Sequence, residues 1–372
     1  MPFSRRQFVT ASLVTAGLGV FPFNVLGKLK PAEKKLKILV LGGTGFLGPH
    51  TVWYALERGH EVTLFNRGKT NQDLFPELET IIGNRDPEID AGLSGLKGRQ
   101  WDAVIDTSGY VPRIVGASAE LLSQNVGQYL FVSTICQYDN WAEGGLNGTE
   151  ERASGTLDDP TTEEVSKHYC TLKAYCEQAA ESAMPGRVTQ IRPGLIVGPR
   201  DGTDRFTYWP VRADRGGEIL APGKPADYTQ FIDVRDLSQF MVHTLEGNLT
   251  GAYNLVCPHR PFGDLLESCL RVTDNDAKLT WVDADFLAEN DVAPWRDVFM
   301  WADSDSDGAG ALTWSSQKAL AAGLTIRPID ETVRDTLNWF KTLPADRQAN
   351  LKVGMSLEKE ANVLAAWHQR AG

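Results

Sequence analysis

A phenol and an ammonium group lie four residues apart in the segment Tyr169-Cys170-Thr171-Leu172-Lys173. Residues four apart share one face of a helix, so both side chains can enter the same pocket. A phenol with a pKa near ~10 is a poor base at neutral pH, but a neighbouring ammonium favours the phenolate. The pattern therefore indicates a phenol and an ammonium in one pocket, where the ammonium would ease loss of the phenol proton. The alternative is a buried tyrosine beside a lysine that only packs its stem.

Two further hydroxyl groups, those of Ser133 and Thr134, directly follow the apolar run Gln128–Val132. This run is typical of a buried parallel strand, the fifth along the chain. Open α/β sheets carry their chemistry at the carboxyl ends of such strands. A hydroxyl at this place can polarise an oxygen atom that reacts.

The elements that must position these groups begin with Ile38–Leu41, an apolar run of the kind that a buried parallel strand requires. Apolar residues from Phe46 to Arg58 approximate helical spacing, and Glu61–Asn66 follows as a second strand. Together these segments predict a strand–helix–strand unit.

A glycine-rich turn joins the first strand to the helix, with Gly42, Gly45 and Gly48 at GxxGxxG spacing. Such glycines let the backbone turn tightly and approach a pyrophosphate, which the free N–H groups of the helix then bind. The alternative is a tight turn without a ligand. The residues predicted to hold a dinucleotide here are Gly42, Thr44, Gly45, Phe46, Leu47 and Gly48.

The turn sequence GGTGFLG resembles that of the short-chain dehydrogenase/reductase superfamily, in particular its extended or atypical branch, the NAD-dependent epimerase/dehydratase family. The resemblance covers about residues 36–340. It implies an α/β fold, in which a Rossmann-type doubly wound parallel sheet carries a smaller mixed α/β substrate-binding domain. It also implies a nicotinamide cofactor and hydride transfer to or from a carbinol carbon, expected in a carbohydrate or nucleotide sugar.

The same resemblance assigns roles to the reactive side chains. Tyr169 is expected to exchange the proton, and Lys173 to lower the pKa of Tyr169 and bind the nicotinamide ribose. The positive ring of the oxidised cofactor would favour the phenolate as well. Thr134, four residues before Tyr138, is expected to orient the substrate, with Ser133 as its near substitute.

The end of the second strand distinguishes NADP from NAD. NAD-binding folds of this kind usually place a carboxylate there, whereas this chain has Asn66, Arg67 and Lys69. A guanidinium suits a 2′-phosphate, so NADP is predicted and NAD is the alternative. The alternative interpretation of these residues is a basic turn that is exposed to solvent and binds no ligand.

Other contacts follow from the resemblance alone. Asn84 and Arg85, at the end of the third predicted strand, are expected beside the adenine. Gly194 and Ile196 are expected to orient the carboxamide of the cofactor.

Candidate substrate contacts are Arg205, Trp209 and Arg212, which cluster at helical spacing. Aromatic faces beside guanidinium groups suit a sugar or an acidic ligand, and packing between two domains is the alternative. Nucleotide-sugar epimerases usually carry Asn where Leu195 falls and Arg where Thr229 falls. Their absence favours an NADPH-dependent carbonyl reductase as the second reading, and a non-catalytic dinucleotide-binding protein is the third.

Composition excludes some classes. The 372 residues include 48 acidic and 37 basic ones, for a net charge of -11, so nucleic acid is a poor partner. The segment Asp303–Gly308 imitates half a calcium loop, but Trp314 stands where a bidentate Glu is needed, so no metal site is predicted. The cysteines, which form no metal spacing and are predicted to be mostly buried apolar residues, are Cys136, Cys170, Cys176, Cys257 and Cys269.

The amino-terminal residues resemble a twin-arginine export signal, with Arg5 and Arg6 before the weakly apolar stretch Val9–Leu26. The prediction is a protein that the twin-arginine machinery exports, located in the periplasm or membrane-anchored facing it. Signal cleavage and a homodimer stay open. The predicted organisation is a signal at 1–30, a Rossmann domain at 36–200 completed by about 230–257, a mostly substrate-binding domain at 200–343, and a helical extension at 344–372.

Overall fold

The computed structural model describes residues 30–142 and 146–370. Residues 1–29 of the predicted export signal lie outside the described residues. Within the described ranges, no helix combines the length and the apolar character that crossing a membrane requires.

The strands alternate with helices along most of the chain. The strands are β1 (Lys37–Leu41), β2 (Glu61–Asn66), β3 (Thr80–Ile82), β4 (Trp101–Asp106), β5 (Val126–Val132), β6 (Val188–Pro193), β7 (Ile196–Val197), β8 (Glu218–Pro222), β9 (Tyr228–Thr229), β10 (Ile232–Asp233), β11 (Gly251–Leu255), β12 (Arg260–Pro261) and β13 (Lys278–Val282). The helices are α1 (Leu47–Glu57), α2 (Pro112–Leu122), α3 (Val165–Ala183), α4 (Tyr208–Asp214), α5 (Val234–Glu246), α6 (Phe262–Thr273), α7 (Ala284–Glu289), α8 (Gln317–Ala321), α9 (Ile329–Lys341), α10 (Ala345–Ala349) and α11 (Leu357–Arg370).

The central sheet has seven parallel strands in the order β11-β6-β5-β4-β1-β2-β3. The chain builds outward from β1 to β3 on one side and then from β4 to β11 on the other. The strand order therefore reverses between β1 and β4, where such sheets bind ligands beyond the carboxyl ends of their strands. This sheet confirms the predicted Rossmann-type α/β fold.

Strand β1 shows why its short apolar run sits at the centre of the sheet. Its side chains alternate between the two faces, so Ile38 and Val40 pack on one side and Leu39 and Leu41 on the other. All four are 0% exposed. Helices α1 and α5 cover the first face, and α2 and α3 cover the second. Burying each such side chain contributes ~1.5–3 kcal/mol, which explains the continuous apolar run.

A second core lies outside the large sheet. It collects apolar side chains from α4, α6 and the parallel pair β8–β13. Helix α11, predicted as an extension packed on the surface, adds the buried residues Val363 and Leu364 to this core. The last described helix is therefore an integral part of the second core.

Candidate functional site

The turn after β1 has a backbone that requires glycine. Gly42 and Gly43 have φ angles of +113° and +91°, in the left-handed region. A Cβ on Gly48 would lie 2.5 Å from the backbone of Gly43, so this pair permits the close contact of helix and turn. A Cβ on Gly45 would meet nothing within 4 Å. The turn thus leaves open space next to Gly45.

Helix α1 presents unsatisfied amides to this space. Its N-cap residue, Phe46, makes no side-chain capping hydrogen bond, and its first turn contains no acidic residue. The buried Thr44 precedes it, and its carbonyl oxygen accepts a hydrogen bond of 2.7 Å from Asn71. Free N–H groups and the helix dipole favour an anion here. The arrangement fits the pyrophosphate of a dinucleotide.

The end of β2 lies beside this turn, because Leu41 pairs with Phe65 in the sheet. The side-chain oxygen of Asn66 accepts a hydrogen bond of 2.8 Å from the Gly68 amide, which shapes the turn. Arg67 and Lys69 are exposed. Their charges can therefore meet a ligand that runs along the sheet edge.

Asn84 and Arg85 follow β3, as predicted, but the Arg85 guanidinium is already engaged. It donates to both carboxylate oxygens of Asp106, at 2.6 and 2.7 Å. Burial raises the pKa of the Asp106 carboxyl, but Arg85 and the Tyr129 hydroxyl outweigh it and hold that pKa below its usual range. Asn84 accepts a bond from the Asp86 amide. The adenine contacts of Asn84 and Arg85 stay predictions.

Tyr169 and Lys173 both lie on α3, and a kink in that helix sets where they point. His168 has non-helical angles (φ −123°, ψ 23°), and regular helix resumes at Tyr169. The Lys173 Nζ donates to the carbonyl oxygens of Val132 and Gly109, each at 2.6 Å. Val132 is the last residue of β5. The structure therefore brings this helix to the carboxyl end of β5, where Ser133 and Thr134 begin.

The electrostatics of the pair differ from the expectation. Burial lowers the pKa of Lys173 to about 8. Tyr169 as a whole is half-buried, yet burial around its phenol raises its pKa, Tyr110 raises it further, and Arg205 lowers it. The direction of this shift is opposite to the lowering expected from Lys173 alone. The phenol stays protonated at neutral pH.

The two hydroxyl residues after β5 have different surroundings. The Thr134 Oγ1 accepts a hydrogen bond of 3.3 Å from the Cys136 amide and caps the 3₁₀ turn Ile135–Gln137. Ser133 is 3% exposed, and its hydroxyl has no hydrogen-bond partner among the described residues. Thr134 is the more accessible of the two.

Two of the cysteines correct the expectation of buried apolar residues. Cys136 and Cys170 form a disulfide, with their Cα atoms 5.1 Å apart. Sequence spacing could not reveal it, because 34 positions separate the two residues and only the docking of α3 on β5 brings them together. The other three cysteines are free and buried, as predicted: Cys176, Cys257 and Cys269.

The candidate substrate residues separate into two groups. Trp209 and Arg212 are 2% and 6% exposed, inside the second core. The Trp209 indole donates to the carbonyl of Phe299, and Arg212 forms an ion pair of 2.6 Å with Glu360. Their polar groups are thus used within the protein, which corresponds to the packing alternative.

Arg205 is different from those two residues. It is half-buried, and its Nε donates to the Thr203 hydroxyl at 3.2 Å. Its charge reaches Tyr169, whose pKa it lowers. Of the predicted substrate residues, Arg205 alone remains a candidate for the site.

The segment after β6 packs against β11, β10 and α1. The Gly194 amide donates to the Leu255 carbonyl at 3.2 Å, and Ile196 pairs with Ile232 in a small two-stranded sheet. The His50 ring contacts the Pro199 carbonyl at 3.0 Å, which ties this segment to α1. Sequence reasoning missed His50, because a lone histidine in a helix carries no ligand pattern.

The segment Asp303–Gly308, which imitates half a calcium loop in sequence, forms ordinary turn contacts. The Asp303 carboxylate accepts a bond from the Asp305 amide, and Asp305 pairs with Lys224. In residues 30–142 and 146–370, no group of three or more His, Cys, Asp or Glu residues is placed to hold a metal ion.

Several proteins of known name are similar to part of this chain. The bovine (Bos taurus) epimerase family protein SDR39U1 is 25% identical over 241 residues, which are 60% of this chain and 75% of that protein. A 2-alkyl-3-oxoalkanoate reductase of Stenotrophomonas maltophilia is 28% identical, with 55% of this chain and 64% of that protein covered. A UDP-glucose 4-epimerase of Neisseria meningitidis serogroup B is 46% identical over 119 residues, 32% of this chain and 33% of that protein.

Solved structures share the fold at lower identity. The Bordetella bronchiseptica enzyme WbmG, in complex with NAD and UDP, has a TM-score of 0.61 and 16% identity, with 83% of this chain and 96% of that chain covered. Human SDR39U1 (isoform 2) with NADPH has a TM-score of 0.54 and 19% identity, with 81% and 99% covered. Residues 38–255, more than half of the sequence, match the model of the NAD dependent epimerase/dehydratase family, and the chain belongs to that family.

Proposed function

We propose that the chain is an enzyme that binds NADP, or alternatively NAD, along the carboxyl edge of its large sheet and transfers a hydride to or from a carbinol carbon. The observation that carries the proposal is the anchoring of Lys173 on the carbonyl of Val132. This contact holds the helix that carries Tyr169 against the end of β5, which Thr134 follows two residues later. The nicotinamide supplies the hydride chemistry, and the residues of the chain bind, orient and move the proton.

The glycine turn and the amides of α1 would hold the diphosphate, and Arg67 and Lys69 the 2′-phosphate. The buried Lys173 uses two of its three N–H donors on backbone carbonyls and lies over the Phe131 ring, so its third N–H would have to turn toward a ribose hydroxyl. Thr134 would hydrogen-bond the substrate oxygen, and Tyr169 would exchange a proton with that oxygen.

The proposed reaction is an epimerase- or dehydratase-type conversion of a carbohydrate or nucleotide sugar. The family supports this class, and the local similarity to a UDP-glucose 4-epimerase supports the sugar. In this reading a bound nicotinamide would supply the removal and the return of the hydride, with no net redox change in one turnover.

A carbonyl reductase is the second candidate, and one observation favours it. The Tyr169 phenol is protonated at neutral pH, since burial raises its pKa, and carbonyl reduction requires a protonated donor. Leu195 and Thr229 in place of the usual Asn and Arg support it as well, as does the similarity to an oxoalkanoate reductase. A non-catalytic dinucleotide-binding protein is the third candidate.

Native mass spectrometry of the purified protein, before and after incubation with candidate substrates, tests the proposal. A bound dinucleotide of unchanged redox state, with an isomerised or dehydrated product, supports the epimerase or dehydratase. Net consumption of NADPH supports the reductase. A bound dinucleotide without turnover of any sugar or carbonyl compound supports the non-catalytic protein.

The variant Tyr169→Phe tests the role of the phenol. We expect turnover to be lost and NADP⁺ affinity to change by less than a few-fold. Tyr175→Phe is the matched control, because Tyr175 lies on the same helix and its hydroxyl accepts a backbone hydrogen bond from Leu157. Retained turnover in Tyr169→Phe would refute the mechanism.

We also propose export by the twin-arginine machinery, with the Cys136–Cys170 disulfide as support, since disulfides persist in oxidising compartments. A reporter fused after residues 1–30, with Arg5 and Arg6 changed to Lys, is expected to stay in the cytoplasm. Unaffected export of that fusion would contradict the proposal.

A further inference from the structure

The Cys136–Cys170 disulfide joins the two segments that carry the proposed proton-transfer groups. Cys170 directly follows Tyr169, and Cys136 lies two residues after Thr134. We propose that this disulfide is a positioning element of the site, which holds Tyr169 against the end of β5. The inference rests on the proposed function of Tyr169.

The need for such a link comes from the shape of α3. Lys173 is fixed by its bonds to Gly109 and Val132, but Tyr169 lies one turn closer to the kink at His168. The ends of helices fray, and a kink removes the support of the preceding turn. The covalent bond at Cys170 fixes the helix at the residue next to the phenol, two residues after the kink.

The same bond also orders the turn after β5. The Cys136 amide donates to the Thr134 hydroxyl at 3.3 Å, and that hydroxyl lies 3.5 Å from the Cys136 sulfur. The position of Cys136 therefore sets the orientation of the Thr134 hydroxyl. One disulfide thus couples the proton-exchanging group to the group that would orient the substrate.

The Cys136–Cys170 disulfide can be reduced without modifying the three free cysteines. Cys136 and Cys170 are half-buried, whereas the free cysteines Cys176, Cys257 and Cys269 are 0%, 2% and 1% exposed. Dithiothreitol supplies the two electrons and two protons that convert the disulfide into two thiols, and is itself oxidised to a cyclic disulfide. Reduction of the native protein therefore changes this pair without exposing another thiol.

The experiment compares the full-length oxidised protein, the same protein reduced with dithiothreitol and then reoxidised, and the variant Cys136→Ser/Cys170→Ser. Cys269→Ser is the control, since it removes a thiol in the second core. Three readouts are taken: NADP⁺ affinity by calorimetry, hydrogen exchange of the amides at 165–173, and the phenolate absorbance difference between each form and its Tyr169→Phe counterpart as a function of pH.

Opening the bridge is expected to increase exchange at 165–173 at least tenfold and to move the titration of Tyr169 toward that of an ordinary phenol, because water then reaches it. NADP⁺ affinity is expected to stay within twofold, and reoxidation to restore the original values. Where a substrate is found, kcat is expected to fall at least tenfold with KM changed less than threefold.

Unchanged exchange and an unchanged Tyr169 titration after reduction would overturn the positioning role, even in an active enzyme. If reduction lowers NADP⁺ affinity and global stability together, the positioning role is also overturned, because a bridge that only stabilises the fold gives that result. If the oxidised protein turns over no substrate, the proposed function fails, while the exchange and titration readouts still decide the role of the bridge. If the double variant does not fold, reduction and reoxidation of the native chain supply the same comparison.

Discussion

The guanidinium of Arg85 forms a two-pronged contact with the carboxylate of Asp106 under the carboxyl edge of the sheet, at 2.6 and 2.7 Å. Arg85 follows the edge strand β3, and Asp106 ends β4, on the far side of β1 and β2. The Asp106 side chain is fully buried. The contact ties the outer end of the sheet to the strand beside the proposed site.

Breaking this pair is expected to destabilise the protein strongly. Arg85→Met leaves a buried carboxylate without its counter-charge, which costs about 3–5 kcal/mol of unfolding free energy. The exposed pair of Arg99 and Glu79 is the control, and Arg99→Met is expected to cost less than about 1 kcal/mol. Urea unfolding measures both, and similar losses in the two variants would contradict the interpretation.

Gly48 and Gly45 separate the packing of the turn from its ligand space. In Gly48→Ala the methyl group collides with the backbone of Gly43, so we expect lower thermal stability and no NADP⁺ binding. In Gly45→Ala the methyl group meets no protein atom, so the melting temperature is expected to stay unchanged while NADP⁺ affinity falls at least tenfold. Thermal unfolding and calorimetric titration measure the two effects. Full NADP⁺ affinity in Gly45→Ala would place the pyrophosphate elsewhere.

Arg67 tests the choice of cofactor. A hydrogen bond to a charged group contributes about 1.5–3 kcal/mol, so Arg67→Ala is expected to raise the Kd for NADP⁺ at least ~10-fold. The Kd for NAD⁺ is expected to stay within twofold, because NAD lacks the 2′-phosphate. Arg215→Ala, at another exposed arginine, serves as the control. Equal changes for both cofactors would contradict a 2′-phosphate contact.

His50 makes stability depend on pH. Burial lowers the pKa of His50 from 6.5 to about 4 in the folded protein. Below pH 6.5 the unfolded chain binds a proton that the folded His50 does not, so stability falls as the pH drops from 6.5 toward 4 and then levels off. At 1.36 kcal/mol for each pKa unit, the loss reaches ~3 kcal/mol.

The variant His50→Gln keeps a donor for the Pro199 carbonyl but does not titrate, so its unfolding free energy is expected to change less over this pH range. His259→Gln, at an exposed histidine, is the control for the loss of an imidazole. An unchanged acid sensitivity in His50→Gln would assign the loss to other groups.

Local signals predicted the large sheet and the glycine turn, because the apolar run Ile38–Leu41 and the glycine spacing act over a few residues. The placement of Tyr169 and Lys173 on one helix also follows from a local signal, their four-residue spacing. Long-range contacts account for what the sequence did not reveal. The sequence indicated Trp209 as a ligand contact, but its indole donates to the carbonyl of Phe299, which lies in a distant segment of the chain.

The pKa of Tyr169 shows the same limit in electrostatic terms. Neighbouring charges can be inferred from the sequence, but burial cannot, and burial is the largest cause of the shift. The disulfide of Cys136 and Cys170 likewise depends on how a helix docks on a strand.

The ion pair of Arg212 with Glu360 has a consequence for biosynthesis. A nascent chain folds from its amino-terminal side, and the last strand of the large sheet is complete at Leu255, well before the ribosome reaches Glu360. Until that glutamate is added, the second core would have to enclose an uncompensated guanidinium, which is unfavourable. The two cores are therefore expected to form one after the other. The large sheet folds during translation, and the second core closes only after α11 has been made.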